Sequence, residues 1–489
     1  IAAGFVGDTE GSPAAGRTAD LSAAWPAQPS ARLPRLIVDS PSEFLVHRDV
    51  YRDPEVFDWE MRFLFEGTWN LLGLESQIPQ PHDFFTTHVG RCPVIVARGG
   101  DGVVRGFVNS CRHKGALVCH QSRGRTRTFV CQYHGWAYDS AGRNVRIRDR
   151  EHGAYRPQFD AHDHDLQPLA RFDSYRGLLF GSVCADVPPL PQYLGDMRAM
   201  IDLIVDQSPH GIECVPGIAN FVYRGNWKLQ LENGVDPYHF QATHRSYIDV
   251  LQRRARESGS TGTASVYSSF GDAALQRGTF CFAHGHNALW GPLPSQTARP
   301  LAASRDELER RVGPVRARWM LYARNLTLFP NAQFAENASL QLRIWRPLAP
   351  DRTELRTYCV APVGESGDAR ALRIRQYEEF FNPGGLATPD DVANYEDCQA
   401  GLAAPNIDWQ QGHARGAALA GTAGDAAAEL GVRPTASVLG PFALGDETVM
   451  HGTYREWLRL IRAGLAREQH AGPAPAASAC DAGAGRRPR

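Results

Sequence analysis

The spacing of apolar residues changes period along the chain, and each change marks a different kind of element. From Glu55 to Thr68, Phe57, Met61, Leu64 and Phe65 recur at i, i+4, i+7 and i+8, which predicts a helix with one apolar face. Trp69–Gly73 then reads as a strand entering a new unit. From about residue 75 to 190 the texture is short β-strands: Phe84–Val89, Pro93–Arg98 and Gly106–Asn109, with turns at Gly99–Gly102 and Ser140–Arg143 and a last core strand at Gly177–Val183. Pro188, Pro189 and Pro191 punctuate a boundary before a helix at Tyr193–Val205. Beyond about residue 210 the pattern is mixed. Phe221–Tyr223, Leu326–Phe329, Leu340–Trp345 and Thr353–Val360 look like strands. Asn226–Asn233, Asp368–Phe381 and residues 447–467, with Trp457, Leu458 and Ile461, look like helices.

These elements predict an α+β chain: tails at 1–36 and 469–489, a helical part at 37–74, a small all-β domain at 75–190 and a larger domain at 191–468. In the larger domain an antiparallel sheet is flanked by helices. The tails are rich in Ala, Pro and Gly and read as disordered. Composition changes little in this picture: 43% hydrophobic and 21% charged residues suit a globular protein. A formal net charge of −1 gives no electrostatic case for nucleic acid or an anionic membrane. No apolar run reaches the length of a membrane span, and no secretory signal is read, so a cytoplasmic setting is expected. The ten cysteines show no disulfide framework, which agrees with that setting.

Candidate chemistry begins inside the all-β stretch. Cys111-Arg112-His113 is followed after seventeen residues by Cys131-Gln132-Tyr133-His134-Gly135-Trp136. Two thiolates and two imidazoles suit zinc, or a [2Fe–2S] cluster with sulfur on one iron and nitrogen on the other. Each short motif supplies one ligand of each kind, which favours the cluster. Cys119, between the halves, is a rival ligand. The second concentration is Glu232 to His244, with Asn233, Asp236, His239 and His244. Asp236 and His239, at i and i+3, share a helix face. His239 and His244 stand about 140° apart on an unbroken helix, so convergence on one metal needs a bend. Structural or surface roles for these two histidines remain open on this evidence alone.

The CxH…CxxH stretch resembles the Rieske motif of aromatic-ring-hydroxylating oxygenases. Tyr133 stands where respiratory Rieske proteins carry a further cysteine. The run NWKxxxEN-x-x-D-x-x-H-x-x-x-x-H, about a hundred residues on, resembles the catalytic domain of the same oxygenases. The resemblance spans about 45 to 465 and implies a helix-grip-like catalytic domain. It implies one [2Fe–2S] cluster on Cys111, His113, Cys131 and His134, and one mononuclear Fe(II) on His239, His244 and Asp391. Asp390 is the rival third ligand, or a helix N-cap. Asp236 would bridge His239 to His134 of a neighbouring subunit, which makes a trimer necessary. Asn233 would line the path near the iron, or be a helix-surface amide.

The runs Leu74–Pro79, Val205–Pro209, Arg324–Leu326 and Gly385–Asp391 resemble large subunits of benzoate-type dioxygenases, the benzoate, toluate, anthranilate and 2-halobenzoate group. That implies a terminal oxygenase that uses O₂ and electrons from an NADH-dependent reductase, with or without a ferredoxin, to cis-dihydroxylate an aromatic carboxylate. It also implies a small β subunit in an α₃β₃ assembly, α₃ being the alternative. A carboxylate substrate needs a cation in an apolar pocket; Arg343, Arg324 and Arg245 are candidates. By alternation Gln341, Arg343 and Trp345 share a face, and a surface arginine paired with an acid is the other reading of Arg343. Lys114, Pro237, Phe240–Ala242 and Arg245 depart from the benzoate pattern. The alternatives are a monohydroxylase of a related acid such as salicylate, a Rieske electron carrier, and a zinc-stabilised binding protein.

Overall fold

The computed structural model describes residues 32–259, 275–293, 298–441 and 445–471. Its smaller β unit is three short sheets. Strands 92–98, 83–89, 104–108 and 123–125 make the first, 128–130, 137–139 and 144–146 the second, and 70–74, 171–175 and 178–182 the third. The strand Asn70–Leu74 pairs with Leu178–Gly181, so the β unit begins before residue 75, and the expected boundary moves. The expected tail over 1–36 is also shortened. Leu33–Arg35 form a 3₁₀ turn, and Leu33 and Leu36 are buried in the core of the larger domain. The rest of that segment, up to Ser30 and Ala31, lies outside the described residues.

The larger domain is built on eight antiparallel strands. They are β1 (Ile212–Tyr223), β2 (Gln276–Cys281), β3 (Asn287–Gly291), β4 (Ala323–Leu328), β5 (Ala332–Glu336), β6 (Leu340–Ala349), β7 (Arg352–Pro362) and β8 (Ala436–Pro441). Their spatial order is β1-β7-β6-β5-β4-β3-β2-β8. Sequence pattern missed β2, β3, β5 and β8. Strands β3 and β5 are buried on both faces, so no apolar–polar alternation marks them. A buried polar residue of β5 finds its partners on neighbouring elements instead: Gln333 donates to Leu231 O at 2.7 Å and to Thr327 Oγ1 of β4 at 3.0 Å.

The register sorts side chains onto two faces. Arg324 pairs with Glu336 across β4 and β5, and Glu336 with Leu340 on β6. That face, with Leu326, Phe334 and Leu342, packs into a core shared with Met200, Ile201 and Ile204 of the helix Met197–Val205. The helix expected over Tyr193–Val205 is broken by Gly195, whose φ of 49° ends a first segment at Leu194. On the opposite face, Asn325, Ala335 and Gln341 form one cross-strand row, and Thr327, Gln333 and Arg343 the next.

Five helices bear on that second face or hold it in place: α1 (Trp227–Asn233), α2 (Phe240–Thr243), α3 (Arg245–Ser258), α4 (Thr388–Gly401) and α5 (Val449–Ala471). Helix α5 runs through residues 469–471, where a tail was expected; residues 472–489 lie outside the described part. A buried carboxylate ties three of the pieces together. Glu60 accepts from Lys228 Nζ at 2.6 Å, Trp227 Nε1 at 2.8 Å and Trp457 Nε1 at 2.7 Å. The helix Pro54–Glu60, α1 and α5 are thereby locked around the start of α1, the helix that delivers Asn233.

Candidate functional site

The two cysteine–histidine loops share one local geometry. In each, the cysteine N–H donates to a carbonyl five residues on (Cys111 to Ala116, Cys131 to Trp136, both 2.8 Å), and the glycine four residues on donates back at 2.9 Å. Gly115 and Gly135 adopt φ of 73° and 75°, which a side chain would strain. Hence CxHxG and CxxHG, different as strings, fold as the same turn. The cysteines are buried, and the histidines stand half-exposed at the tip with Nδ1 atoms 2.9 Å apart. Trp136 stacks on His113, and the Tyr138 hydroxyl lies 3.3 Å from Cys111 Sγ. Two buried sulfurs behind two half-exposed imidazoles match a dinuclear cluster with sulfur on the inner iron and nitrogen on the outer. Cys119 faces elsewhere, with Sγ on Gln121 O and its N–H on Asn109.

The bend required between His239 and His244 is present. Helix α1 stops at Asn233, His239 opens the four-residue α2, and His244 breaks the chain again (φ −98°, ψ 28°) before α3. The two imidazoles converge, and α4 brings in Asp391 from its first turn, where a helix N-terminus favours carboxylate. One ligand atom from each of His239, His244 and Asp391 lies within 4.8 Å of the others. His239 Nε2 is 3.4 Å and His244 Nε2 3.2 Å from Asp391 Oδ1. Each ring is held from behind: His239 Nδ1 lies 3.3 Å from Asp236 Oδ2, and His244 Nδ1 3.5 Å from Asp390 Oδ2. Two imidazole nitrogens and one carboxylate on one side of an open space are the donor set of a facial-triad iron site. Asn233 Nδ2 reaches both Asp391 Oδ1 (3.1 Å) and His239 Nε2 (3.2 Å), so it points into the site and not to solvent.

Electrostatics fit a cation here. Burial disfavours a charged His239, yet Asp236 and Asp391 outweigh it and raise its pKa to about 10. Burial likewise disfavours a charged Asp391, and the two imidazoles hold it well below the carboxylate range.

The triad opens into a pocket. Phe240, Phe380 and Phe381 form one wall, and Ala335, Ala323 and Gly291 of the sheet the floor. Arg343 lines it and is 6% exposed; among the described residues it joins no ion pair, and its Nε donates to Gln341. Two of the expected substrate cations have other partners. Arg324 is among the pocket's lining residues, but its guanidinium is bound by Glu336, together with Arg299, on the opposite face of the sheet. Arg245 is three-quarters exposed on α3 and pairs with Asp249 one turn on. Sequence reasoning missed Arg277 of β2, which lines the pocket end near Asp236; burial drags its pKa down to about 9 against the pull of Asp236. No local motif marks it, because only the sheet register brings β2 to this face.

Comparison with known proteins follows the same division. Residues 68–159 match the Rieske [2Fe-2S] domain, and residues 208–462 the ring hydroxylating alpha subunit catalytic domain. The toluate 1,2-dioxygenase alpha subunit of Pseudomonas putida is 44% identical over 73% of this chain and 78% of its own length. The 2-halobenzoate 1,2-dioxygenase large subunit of Burkholderia cepacia is 39% identical over 75% of this chain and 79% of its own. Naphthalene 1,2-dioxygenase from Rhodococcus sp. superposes with a TM-score of 0.71 at 25% identity, covering 86% of this chain and 94% of that one. The paired loops, the triad and these likenesses have one reading: the chain belongs to the Rieske-type ring-hydroxylating dioxygenase alpha subunits, and carries a [2Fe–2S] cluster and a mononuclear iron.

Proposed function

We propose that this alpha subunit cis-dihydroxylates a benzoate-type aromatic carboxylate: arene carboxylate, O₂, NADH and H⁺ give the cis-diol and NAD⁺. The observation that carries the reading is Arg343, a buried cation on the wall of the triad's pocket with no described acid to neutralise it. A buried charge without a partner is costly, and an anionic substrate offsets that cost. The printed names of the relatives, toluate, 2-halobenzoate and anthranilate dioxygenases, point to the same class.

In this reading His239, His244 and Asp391 hold the iron, which supplies O₂ activation when reduced. Arg343 orients the carboxylate so that the ring lies against the triad. Phe240, Phe380 and Phe381 keep bulk water away from it. Asp236 and Asp390 fix the tautomers of the ligand imidazoles. Asp236, half-exposed, is also the carboxylate that receives His134 of a neighbouring copy, so that the working unit is a trimer. A small β subunit, an NADH-dependent reductase with or without a ferredoxin, and a cytoplasmic setting complete the proposal. Among the described residues no helix is long and apolar enough to cross a membrane. The triad and its pocket favour an oxygenase over a bare electron carrier. Turnover of substituted benzoates under ¹⁸O₂ with such a reductase tests the reading. Two labelled oxygens in the product support it; a single labelled oxygen, or none, overturns it.

A further inference from the structure

The buried arginine of the pocket is itself held, by a side chain that stays out of the pocket. Gln341 lies two residues before Arg343 on β6, on the same face of the strand, and is wholly buried. Its Oε1 accepts from Arg343 Nε, and its Nε2 donates to Phe381 O at 3.2 Å. The orientation of the amide is forced, because a guanidinium only donates and a carbonyl only accepts. Phe381 meets Arg343 a second time, with its ring centroid 5.7 Å from the guanidinium carbon. The same Phe381 carbonyl accepts from Thr388 Oγ1 at 2.8 Å. Thr388 opens α4, and Asp391 lies three residues on, on the same side of that helix. One carbonyl therefore joins the hydrogen bonds that hold Arg343 to the one that holds the start of the helix carrying Asp391.

The charges add a second constraint. Gln341 is neutral, and so are Gln333 and Thr357, the cross-strand neighbours of Arg343. A carboxylate has nearly the shape of a carboxamide, so a glutamate at 341 would fit. It would neutralise the guanidinium inside the protein, and it would have no proton to donate to Phe381 O. The amide instead fixes the guanidinium and leaves its charge for a ligand.

We infer that Gln341 is a positioning residue that sets substrate specificity through Arg343: it aims the guanidinium at the substrate carboxylate, leaves that cation uncompensated, and ties it through Phe381 O to the helix that carries Asp391. This rests on the aromatic-carboxylate reading above. Gln341 touches no substrate atom in this arrangement.

The test compares benzoate with benzamide, its neutral isostere, by equilibrium binding to the intact oxygenase with both metals in place. The variants are Gln341→Glu, Gln341→Met and Arg343→Gln, each checked for cluster absorbance and iron per chain. Gln341→Glu should weaken benzoate far more than benzamide, so that the ratio of the two affinities falls about 10-fold or more. Gln341→Met keeps the length of the side chain and the charge of Arg343 but makes neither hydrogen bond. It should hold the ratio closer to wild type and lower the product formed per O₂ consumed with reductase, because the ring is no longer fixed in one pose. A purely structural role would lower the amount of metal-loaded protein and leave both the ratio and the product per O₂ of the surviving enzyme unchanged, which overturns the inference. A ratio that collapses in Arg343→Gln but not in Gln341→Glu also overturns it and leaves the carboxylate reading standing. A ratio that none of the variants moves sinks that reading as well.

Discussion

Asp390 stands 3.5 Å from Nδ1 of His244, on the side of the imidazole turned away from Asp391. The adjacent acids of one helical turn thus face different atoms, Asp391 the Nε2 atoms of His239 and His244 and Asp390 the Nδ1 of His244. Asp391→Ala should lose the mononuclear iron and keep the cluster. Asp390→Asn should keep both and release the mononuclear iron faster, with an affinity loss of about 10- to 100-fold. Iron per chain and the rate of transfer to a chelator read the two apart. Equal retention of iron by both variants would contradict this division.

Asp236 holds the back of His239 while remaining accessible at the surface. Asp236→Ala should bind both metals yet lose turnover with reductase. The cluster should still be reduced at its normal rate, while electrons fail to reach the second iron. Wild-type turnover in this variant would remove the intersubunit bridge from the mechanism.

Arg343→Gln removes a buried cation that lines the triad's pocket and joins no ion pair among the described residues. A hydrogen bond to a charged group contributes about 1.5–3 kcal/mol, so KM for benzoates should rise about 10- to 100-fold. Arg245→Ala, on the surface of α3, should leave KM where it was. Similar effects of the two substitutions would refute the assignment.

The Glu60–Lys228 pair is almost wholly buried, at 1% and 2% side-chain exposure. Glu60→Ala leaves the ammonium and two indole N–H groups without their acceptor, at a cost of about 3–5 kcal/mol. Denaturant unfolding should show that loss. A change below about 1 kcal/mol would mean that water replaces the carboxylate.

His286 is wedged with Nδ1 accepting from Phe329 N and Nε2 donating to Tyr193 O, both at 3.1 Å, which requires the neutral ring. Burial pushes its pKa down from 6.5 to about 3. The unfolded chain therefore takes up this proton first, and stability present above about pH 6.5 is lost as pH falls toward 3. His286→Gln should be less stable at pH 7.5 and show a shallower loss between pH 7.5 and 5. An unchanged slope would show that His286 does not titrate in this window.

Local chemistry was legible in the sequence wherever a motif is short. The cluster loops needed only residues 111–136, since each turn is closed by its own glycine. The His239–His244 spacing already demanded a bend, and α2 supplies it. Asp391 came from a resemblance, because nothing local tells a ligand aspartate from its neighbour Asp390. That distinction needed α4 set against α2, where a rotation of about 100° per residue sends the two carboxylates to different sides of His244. The arginines show the same limit. Alternation placed Arg343 on one face of its strand, but which face meets the pocket depends on pairing with β5. The same pairing sends Arg324 to Glu336 on the other side of the sheet, and brings in Arg277 from a strand that no pattern announced. Sequence by itself marked the candidate cysteine and histidine ligands and the turns around them, because those depend on a few consecutive residues. Tertiary structure decided which cations meet the pocket, because that is set by the register between strands far apart in the chain.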